Sequence, residues 1–108
     1  MDRFKFRLYD KNKKEMRYEV YATDYDLSQT NDARFVLMQC TGLRDRKGKL
    51  VYEGDIVREV NITGRDEEYV SEVKWVNAGF DLSADPDFSI EVLGNIYENP
   101  NLLFLIEE

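Results

Sequence analysis

The chain has 108 residues and a formal net charge of −7, with 43% hydrophobic and 34% charged residues. This length and composition suffice for one hydrophobic core with a charged surface, so the sequence predicts a single domain, 1–108, and excludes wholesale disorder. Histidine is absent and Cys40 is the one cysteine. The commonest general base, the commonest transition-metal ligand and any internal disulfide are therefore missing. We expect a protein that is not an enzyme and that uses no cofactor.

Hydropathy argues against membrane insertion. No stretch of the sequence approaches the roughly 18 apolar residues that a membrane-spanning helix requires. The first ten residues alternate charged and apolar side chains, unlike the apolar core of a secretion signal. A lone cysteine fits a reducing compartment. We expect a cytoplasmic protein with no membrane partner.

The charge is distributed unevenly along the chain. Residues 1–76 carry 15 basic and 15 acidic side chains, whereas residues 77–108 carry seven acidic side chains and no lysine or arginine. Residues 1–21 are mildly basic, with seven basic and four acidic side chains. Ends of opposite charge either favour head-to-tail contact between copies or improve solubility, and solubility is the commoner reason.

The first half of the chain predicts a hairpin, a loop and a buried strand. Residues 4–9 alternate apolar and polar side chains, a polar run follows at 10–14, and the alternation resumes at 16–20. This pattern predicts a β-hairpin whose first strand is half-buried, with Phe4, Phe6 and Leu8 on the buried face and Lys5, Arg7 and Tyr9 on the other. Residues 22–34 have no apolar period and predict a surface loop. Residues 35–40 are nearly all apolar, which favours a central strand covered on both faces.

The second half predicts further short strands and an apolar end. Residues 98–101 predict either a turn or the first turn of a helix, in which Pro100 would be well placed at the first position. The run at 102–106 is too apolar for a loose tail and should be buried, either in the fold or in a partner chain. Glycines bound a charged loop at 41–49, and we expect strands at residues 50–52, 56–62, 69–76, 80–82 and 88–93.

About eight short antiparallel strands with turns between them predict a mainly β fold with little helix. The core should be barrel-like or sandwich-like. Residues 53–57 are similar to the turn that opens a strand in SH3-like barrels, so we expect SH3-like barrel character around residues 42–76.

Four blocks of sequence resemble the YopX family, a group of small proteins encoded by phages and prophages. The blocks are Phe-Arg-Leu-Tyr-Asp at 6–10, Leu-Met-Gln-Cys-Thr-Gly-Leu-Arg-Asp at 37–45, Val-Tyr-Glu-Gly-Asp-Ile-Val at 51–57 and Leu-Gly-Asn-Ile-Tyr-Glu-Asn-Pro at 93–100. The resemblance implies a mainly β fold, a phage or prophage origin, a bacterial host whose cytoplasm contains the protein, and a tendency to self-assemble. It supplies no reaction.

These blocks contain residues that form tight turns. A structural role is favoured for all of them. For Glu53 and Asp55 the alternative is a carboxylate pair for a divalent cation or for acid–base chemistry, but a hard-cation site needs several more oxygen ligands, which the spacing does not supply. The structural turn residues are Gly42, Gly48, Gly54, Asp55, Gly94 and Asn95.

We favour the interpretation that the chain is a phage or prophage accessory protein that acts as a noncatalytic protein-binding or self-assembling module. Its partner would be another copy or a host or phage protein. One alternative is a nucleic-acid-associated regulator that uses the basic N-terminal hairpin and the loop at 44–49; another is a small hydrolase that uses carboxylates and a divalent ion. The candidate binding residues are Arg44, Arg46, Lys47, Lys49 and Trp75, and the hairpin adds Lys5, Arg7, Lys13 and Lys14.

Overall fold

Nine short strands and one 3₁₀ helix make up the described part of the chain in a computed structural model, which covers residues 5–21, 33–76, 79–80 and 86–106. No helix in these ranges is long and apolar enough to cross a membrane. The mainly β prediction is confirmed. The elements are β1 Lys5–Asp10, β2 Glu15–Tyr21, β3 Phe35–Arg44, β4 Leu50–Tyr52, β5 Asp55–Asn61, β6 Glu68–Glu72, β7 Trp75–Val76, β8 Gly79–Phe80, β9 Phe88–Asn95 and the helix Pro100–Leu105.

The first sheet has the strand order β2-β1-β3-β4 with antiparallel pairing throughout. The predicted hairpin is confirmed as β1 and β2, and β3 is central because β1 and β4 flank it. Leu8, Met38 and Cys40 are buried in this sheet, so Cys40 is a packed thiol. The alternation in β1 predicted one solvated face, and that is wrong for Arg7 and Tyr9, which are also buried.

The second sheet has the strand order β6-β5-β9, also antiparallel. Its inner face joins the first sheet in a core of Val51, Val57 and Val73, against which Ile90 and Val92 pack. β7 and β8 form a separate two-stranded ribbon. The stretch 42–76, for which we predicted SH3-like barrel character, contributes strands to all three sheets.

The two larger sheets meet at the turn between β4 and β5. Gly54 has a φ of +89°, a backbone conformation that glycine adopts without a steric penalty. Its N–H donates to the Val73 carbonyl, and its carbonyl accepts from the Ile96 N–H. The Glu53 N–H reaches back to the Gln39 carbonyl on β3. This turn therefore ties β3, the end of β6 and the end of β9 to one another.

The C-terminal helix begins at Pro100, as predicted, and is anchored to the end of β9. The side-chain carbonyl oxygen of Asn99 accepts a hydrogen bond from the Asn95 N–H at 3.2 Å. A Cβ on Gly94 would lie 2.5 Å from that Asn99 oxygen and 2.8 Å from Leu102. Glycine at 94 is therefore what lets the helix approach the strand so closely.

Candidate interaction surface

The turn block at 51–57 contains a buried ion pair rather than a metal site. Arg7 Nη1 lies 2.8 Å from Asp55 Oδ1, and both side chains are 1% exposed. Arg7 Nη2 donates to the Glu53 carbonyl at 3.0 Å, and Asp55 Oδ2 accepts from the Tyr52 N–H at 2.8 Å. Glu53 Oε1 accepts from the Gln39 N–H at 3.4 Å. Within the described ranges no three Asp, Glu or Cys residues are arranged to hold a metal ion.

Aromatic rings cover the guanidinium of Arg7. It lies 4.9 Å from the centre of the Tyr52 ring and 6.0 Å from that of Tyr18, distances at which a cation is attracted to the ring face. Burial raises the pKa of Tyr52 to about 12, so its hydroxyl is protonated at neutral pH. Arg7 was a candidate for nucleic-acid contact. That prediction is wrong, because the side chain is committed to the core.

The loop between β3 and β4 is organised around Asp45. Its Oδ1 accepts from the backbone N–H groups of Lys47 and Lys49, both at 2.9 Å, and its Oδ2 accepts from the Val92 N–H at 3.0 Å. Burial alone would raise the pKa of Asp45, but these three hydrogen bonds lower it below its usual value. The carboxylate thus fixes the loop and attaches it to β9.

The basic candidate residues lie together on this loop, where all four are exposed. Arg44 Nη1 donates to the Gly48 carbonyl at 2.8 Å. Arg46 and Lys47 both point toward Glu91, with nitrogen-to-oxygen distances of 3.8 Å and 3.7 Å. Part of the positive charge is therefore balanced locally. The side chain of Trp75 lies outside the described residues.

Backbone conformation and hydrogen bonds explain the residues that were predicted to form turns. Gly48 has a φ of +84° in the loop between β3 and β4. Gly42 has the same φ but lies within β3, where the pairing with β4 is irregular, so its predicted place in a turn is wrong. Asn95 Oδ1 accepts from the N–H groups of Tyr97 and Glu98 at 3.1 Å and 2.8 Å. Thus the blocks that carry the family resemblance contain turns and one buried ion pair, which are structural roles.

A cleft of about 320 Å³ opens beside the Gly54 turn. Glu53, Glu72, Lys74 and Tyr97 contribute polar atoms, and Val36, Leu37, Met38, Val73 and Ile96 contribute apolar walls. Burial and, secondarily, the carboxylates of Glu72 and Glu53 raise the pKa of Tyr97. The lining combines both signs of charge, so it points to no single class of ligand.

Among the described residues, four of the seven exposed large apolar side chains lie on the C-terminal helix and the neighbouring edge of β6; the other three are Ile62, Tyr18 and Leu43. Phe104 is 92% exposed, Leu103 43%, Leu105 50% and Tyr69 52%. We call these four residues the C-terminal patch. Leu105 and Tyr69 also line a groove of about 290 Å³, together with Glu68 and Val70.

The apolar run at 102–106 was predicted to be buried in the fold or in a partner chain. Burial in the fold is wrong for Leu103, Phe104 and Leu105, because this short helix turns one apolar side against β9 and the other outward. Leu102 and Ile106 are the half-buried members of the run. Exposed apolar patches commonly mark interaction sites, and burial in a partner chain stays a prediction.

Comparison with known proteins gives a family and a fold. The model of the family described as YopX protein matches residues 20–104. The chain is similar in structure to protein EF1440 from Enterococcus faecalis, with a TM-score of 0.64, 24% sequence identity and coverage of 92% of this chain and 96% of that one. It is also similar to protein yopX from Bacillus subtilis, with a TM-score of 0.65, 21% identity and coverage of 97% and 99%. No functionally curated protein matches the sequence.

Proposed function

The chain belongs to the YopX family, and from this premise we propose that it is a noncatalytic phage or prophage accessory protein that binds protein by self-association through the C-terminal patch. The family assignment brings no reaction with it. The proposal therefore depends on the surface that the fold leaves exposed.

The observation that carries this proposal is the exposure of Phe104. Complete burial of a phenylalanine side chain is worth about 1.5–3 kcal/mol relative to exposure. Leu103 and Leu105 stand on either side of it on the same short helix, and both are at least 43% exposed. An apolar partner surface would recover this free energy, and aromatic side chains are enriched at the centres of protein interfaces.

The nucleic-acid alternative has less support. Arg7 is buried, and Glu91 lies near Arg46 and Lys47. The net charge of −7 opposes a polyanion over the rest of the surface. Binding to DNA or RNA would have to come from a few exposed lysines and arginines, and it would weaken steeply with salt.

Phe104→Ser tests the proposed function, with Leu43→Ser as the matched control. Leu43 is also an exposed apolar residue, but it lies on β3 in the first sheet, away from the C-terminal helix. We expect light scattering behind size-exclusion chromatography to give a multiple of the chain mass for the unmodified protein and for the control. Phe104→Ser should elute as one chain and keep the circular dichroism spectrum and cooperative unfolding of the folded domain, with a melting temperature that no longer depends on protein concentration. Equal masses for Phe104→Ser and the unmodified protein would contradict the proposal.

A further inference from the structure

We infer that the open edge of β6 pairs antiparallel with β6 of a second copy, about a two-fold axis at Tyr69. This inference rests on the proposed function and names the segment of the second copy that lies against the C-terminal patch. It follows from the directions of the backbone hydrogen bonds in the second sheet.

The backbone groups of β6 alternate between bonding to β5 and pointing away from it. At one end of the ladder the Asn61 N–H donates to the Glu67 carbonyl at 2.9 Å, and at the other the Val73 N–H donates to the Asp55 carbonyl at 2.8 Å. Only every second residue pair of an antiparallel ladder is hydrogen-bonded. The N–H and C=O groups that face β5 therefore belong to residues 67, 69, 71 and 73, and those that point outward belong to residues 68, 70 and 72.

The other edge of this sheet is covered by the loop between β3 and β4. The Ile90 carbonyl on β9 accepts from the Arg46 N–H at 2.8 Å, and the Val92 N–H donates to Asp45 Oδ2 at 3.0 Å. In the part of the chain that the structure describes, no hydrogen bond reaches the outward backbone groups of β6. An open edge strand accepts a further strand through main-chain hydrogen bonds.

The C-terminal patch lies beside this open edge. Leu105 lines one groove together with Glu68, Tyr69 and Val70 of β6. A strand added to the edge would therefore lie beside Leu105 and the exposed Phe104 that precedes it. One partner strand would cover both the open backbone groups and part of the apolar patch.

A second copy of β6 has the backbone groups that this edge requires. Two copies of one strand can pair antiparallel about a two-fold axis, and two-fold symmetric contacts are the commonest in homo-oligomers. With the axis at Tyr69, Glu68 of each copy would exchange both backbone hydrogen bonds with Val70 of the other. The two three-stranded sheets would then form one continuous sheet.

The charges on β6 select the position of the axis. An axis at Val70 would set Glu68 opposite Glu72, and an axis at either glutamate would set it opposite its own copy; like charges directly opposite are destabilising. An axis at Ser71 would set Glu68 opposite Lys74, a favourable pair, but Lys74 lies beyond the end of β6 at Glu72. The favourable pairing that stays within the strand therefore has its axis at Tyr69.

The axis at Tyr69 also brings two exposed aromatic rings together. Tyr69 is 52% exposed, and it would face its own copy at a closely spaced, non-hydrogen-bonded position, where aromatic pairs are favourable. Glu68 would face the uncharged Val70. Glu72 would approach Asp66 only at the ends of the contact, where Asp66 is exposed and salt screens the repulsion.

Single cysteine substitutions on β6 test the position of the axis. In Tyr69→Cys the two Cα atoms would be about 4.5 Å apart, a separation that a disulfide spans. Val70→Cys and Ser71→Cys are the matched controls, because their copies would be diagonal neighbours or farther, at least about 7–8 Å apart. Cys40 is buried and stays in all three variants. Under mild oxidation we expect Tyr69→Cys to form a covalent dimer at least about tenfold faster than either control.

Val70→Pro tests the open edge independently of any disulfide. It removes an outward N–H and leaves the bonds to β5 in place, since proline is tolerated where the N–H of an edge strand faces solvent. Val70→Thr keeps the N–H and the branched shape and is the control. We expect Val70→Pro to be monomeric by sedimentation velocity with the circular dichroism spectrum of the folded domain, and Val70→Thr to assemble as the unmodified protein does.

The outcomes separate this inference from the proposed function. Assembly of Val70→Pro, or faster crosslinking by Val70→Cys or Ser71→Cys than by Tyr69→Cys, would overturn the pairing about Tyr69 and leave self-association intact. Pairing of β6 with β2, the outer strand of the first sheet, would give assembly without a Tyr69→Cys dimer and would overturn it equally. A monomeric unmodified protein would overturn both.

Discussion

Replacement of Arg7 by methionine tests how far the fold depends on its buried ion pair. Methionine keeps the aliphatic stem but leaves Asp55 buried, 1% exposed, without the guanidinium 2.8 Å away. Loss of one partner from a buried pair costs about 3–5 kcal/mol. A domain of this size has a total stability of about 5–15 kcal/mol, so we expect the melting temperature to fall by about 12 °C or more.

The effect of Arg7→Met should depend on pH. Burial raises the pKa of Asp55, and Arg7 opposes that rise, so the carboxyl in the variant has a folded-state pKa further above its unfolded value. A raised folded-state pKa means that folding favours the protonated form. The variant is therefore least destabilised below about pH 4, the unfolded pKa of aspartate, and loses stability as the pH rises toward the folded-state pKa.

Urea unfolding at pH 4 and pH 7 measures both effects. The control is Arg7→Met/Asp55→Asn, in which no buried charge is left, and it should be at least as stable as Arg7→Met at pH 7. The reasoning fails if Arg7→Met costs less than about 1 kcal/mol at pH 7, or if adding Asp55→Asn brings a second loss as large as the first.

Three further substitutions probe the turns and the loop. Gly54→Ala should lower stability by about 1–3 kcal/mol in thermal unfolding, because φ is +89° and the new Cβ would lie 3.0 Å from Met38 Sδ; an unchanged melting temperature would count against the strained turn. Gly94→Ala should displace Asn99 and the helix that follows it from β9 and weaken self-association measured by light scattering; assembly at the same concentration as the unmodified protein would refute that link. Asp45→Asn should reduce the dependence of the free energy of unfolding on pH in the acid range. The lowered pKa of Asp45 contributes stability above about pH 4, and this stability is lost as the pH falls through the folded-state pKa. Parallel plots of unfolding free energy against pH for both proteins from pH 2 to 5 would contradict this.

Most strand positions could be predicted from local pattern. Two predictions were wrong: the strand expected at 69–76 is interrupted between Glu72 and Trp75, and residues 41–44 of the expected loop belong to β3. The period-two runs at 4–9 and 88–93 correspond to β1 and β9, and the apolar run at 35–40 lies in the central strand β3. These features depend on neighbouring residues, which a single sequence displays. The helix start at Pro100 is local in the same sense.

The long-range polar contacts could not be predicted in this way. Alternation in β1 assigns Arg7 to a solvated face, and its burial depends on Asp55, which joins it from another sheet. Asp45 likewise reaches the Val92 N–H on β9. No fixed spacing in sequence relates Arg7 to Asp55 or Asp45 to Val92. An aspartate that only forms a turn therefore cannot be distinguished in the sequence from one that also joins two parts of the core.

The candidate surface was predicted in part. The sequence indicated that residues 102–106 would be covered, but only the fold distinguishes Leu102, which faces β9, from Phe104, which faces outward. The basic loop residues Arg44, Arg46, Lys47 and Lys49 are exposed as a surface role requires. Glu91 lies close to two of them because β9 packs beside the loop, and the hydrogen bond from the Val92 N–H to Asp45 depends on β9 in the same way. Neighbouring residues in the sequence do not indicate either contact.

Sedimentation equilibrium of the unmodified protein over a wide concentration range tests self-association most directly. The chain mass is 12.8 kDa. If the C-terminal patch binds a second copy, the weight-average mass should rise above this value with concentration. A mass of 12.8 kDa at every concentration and salt would contradict self-association as the function of the exposed helix.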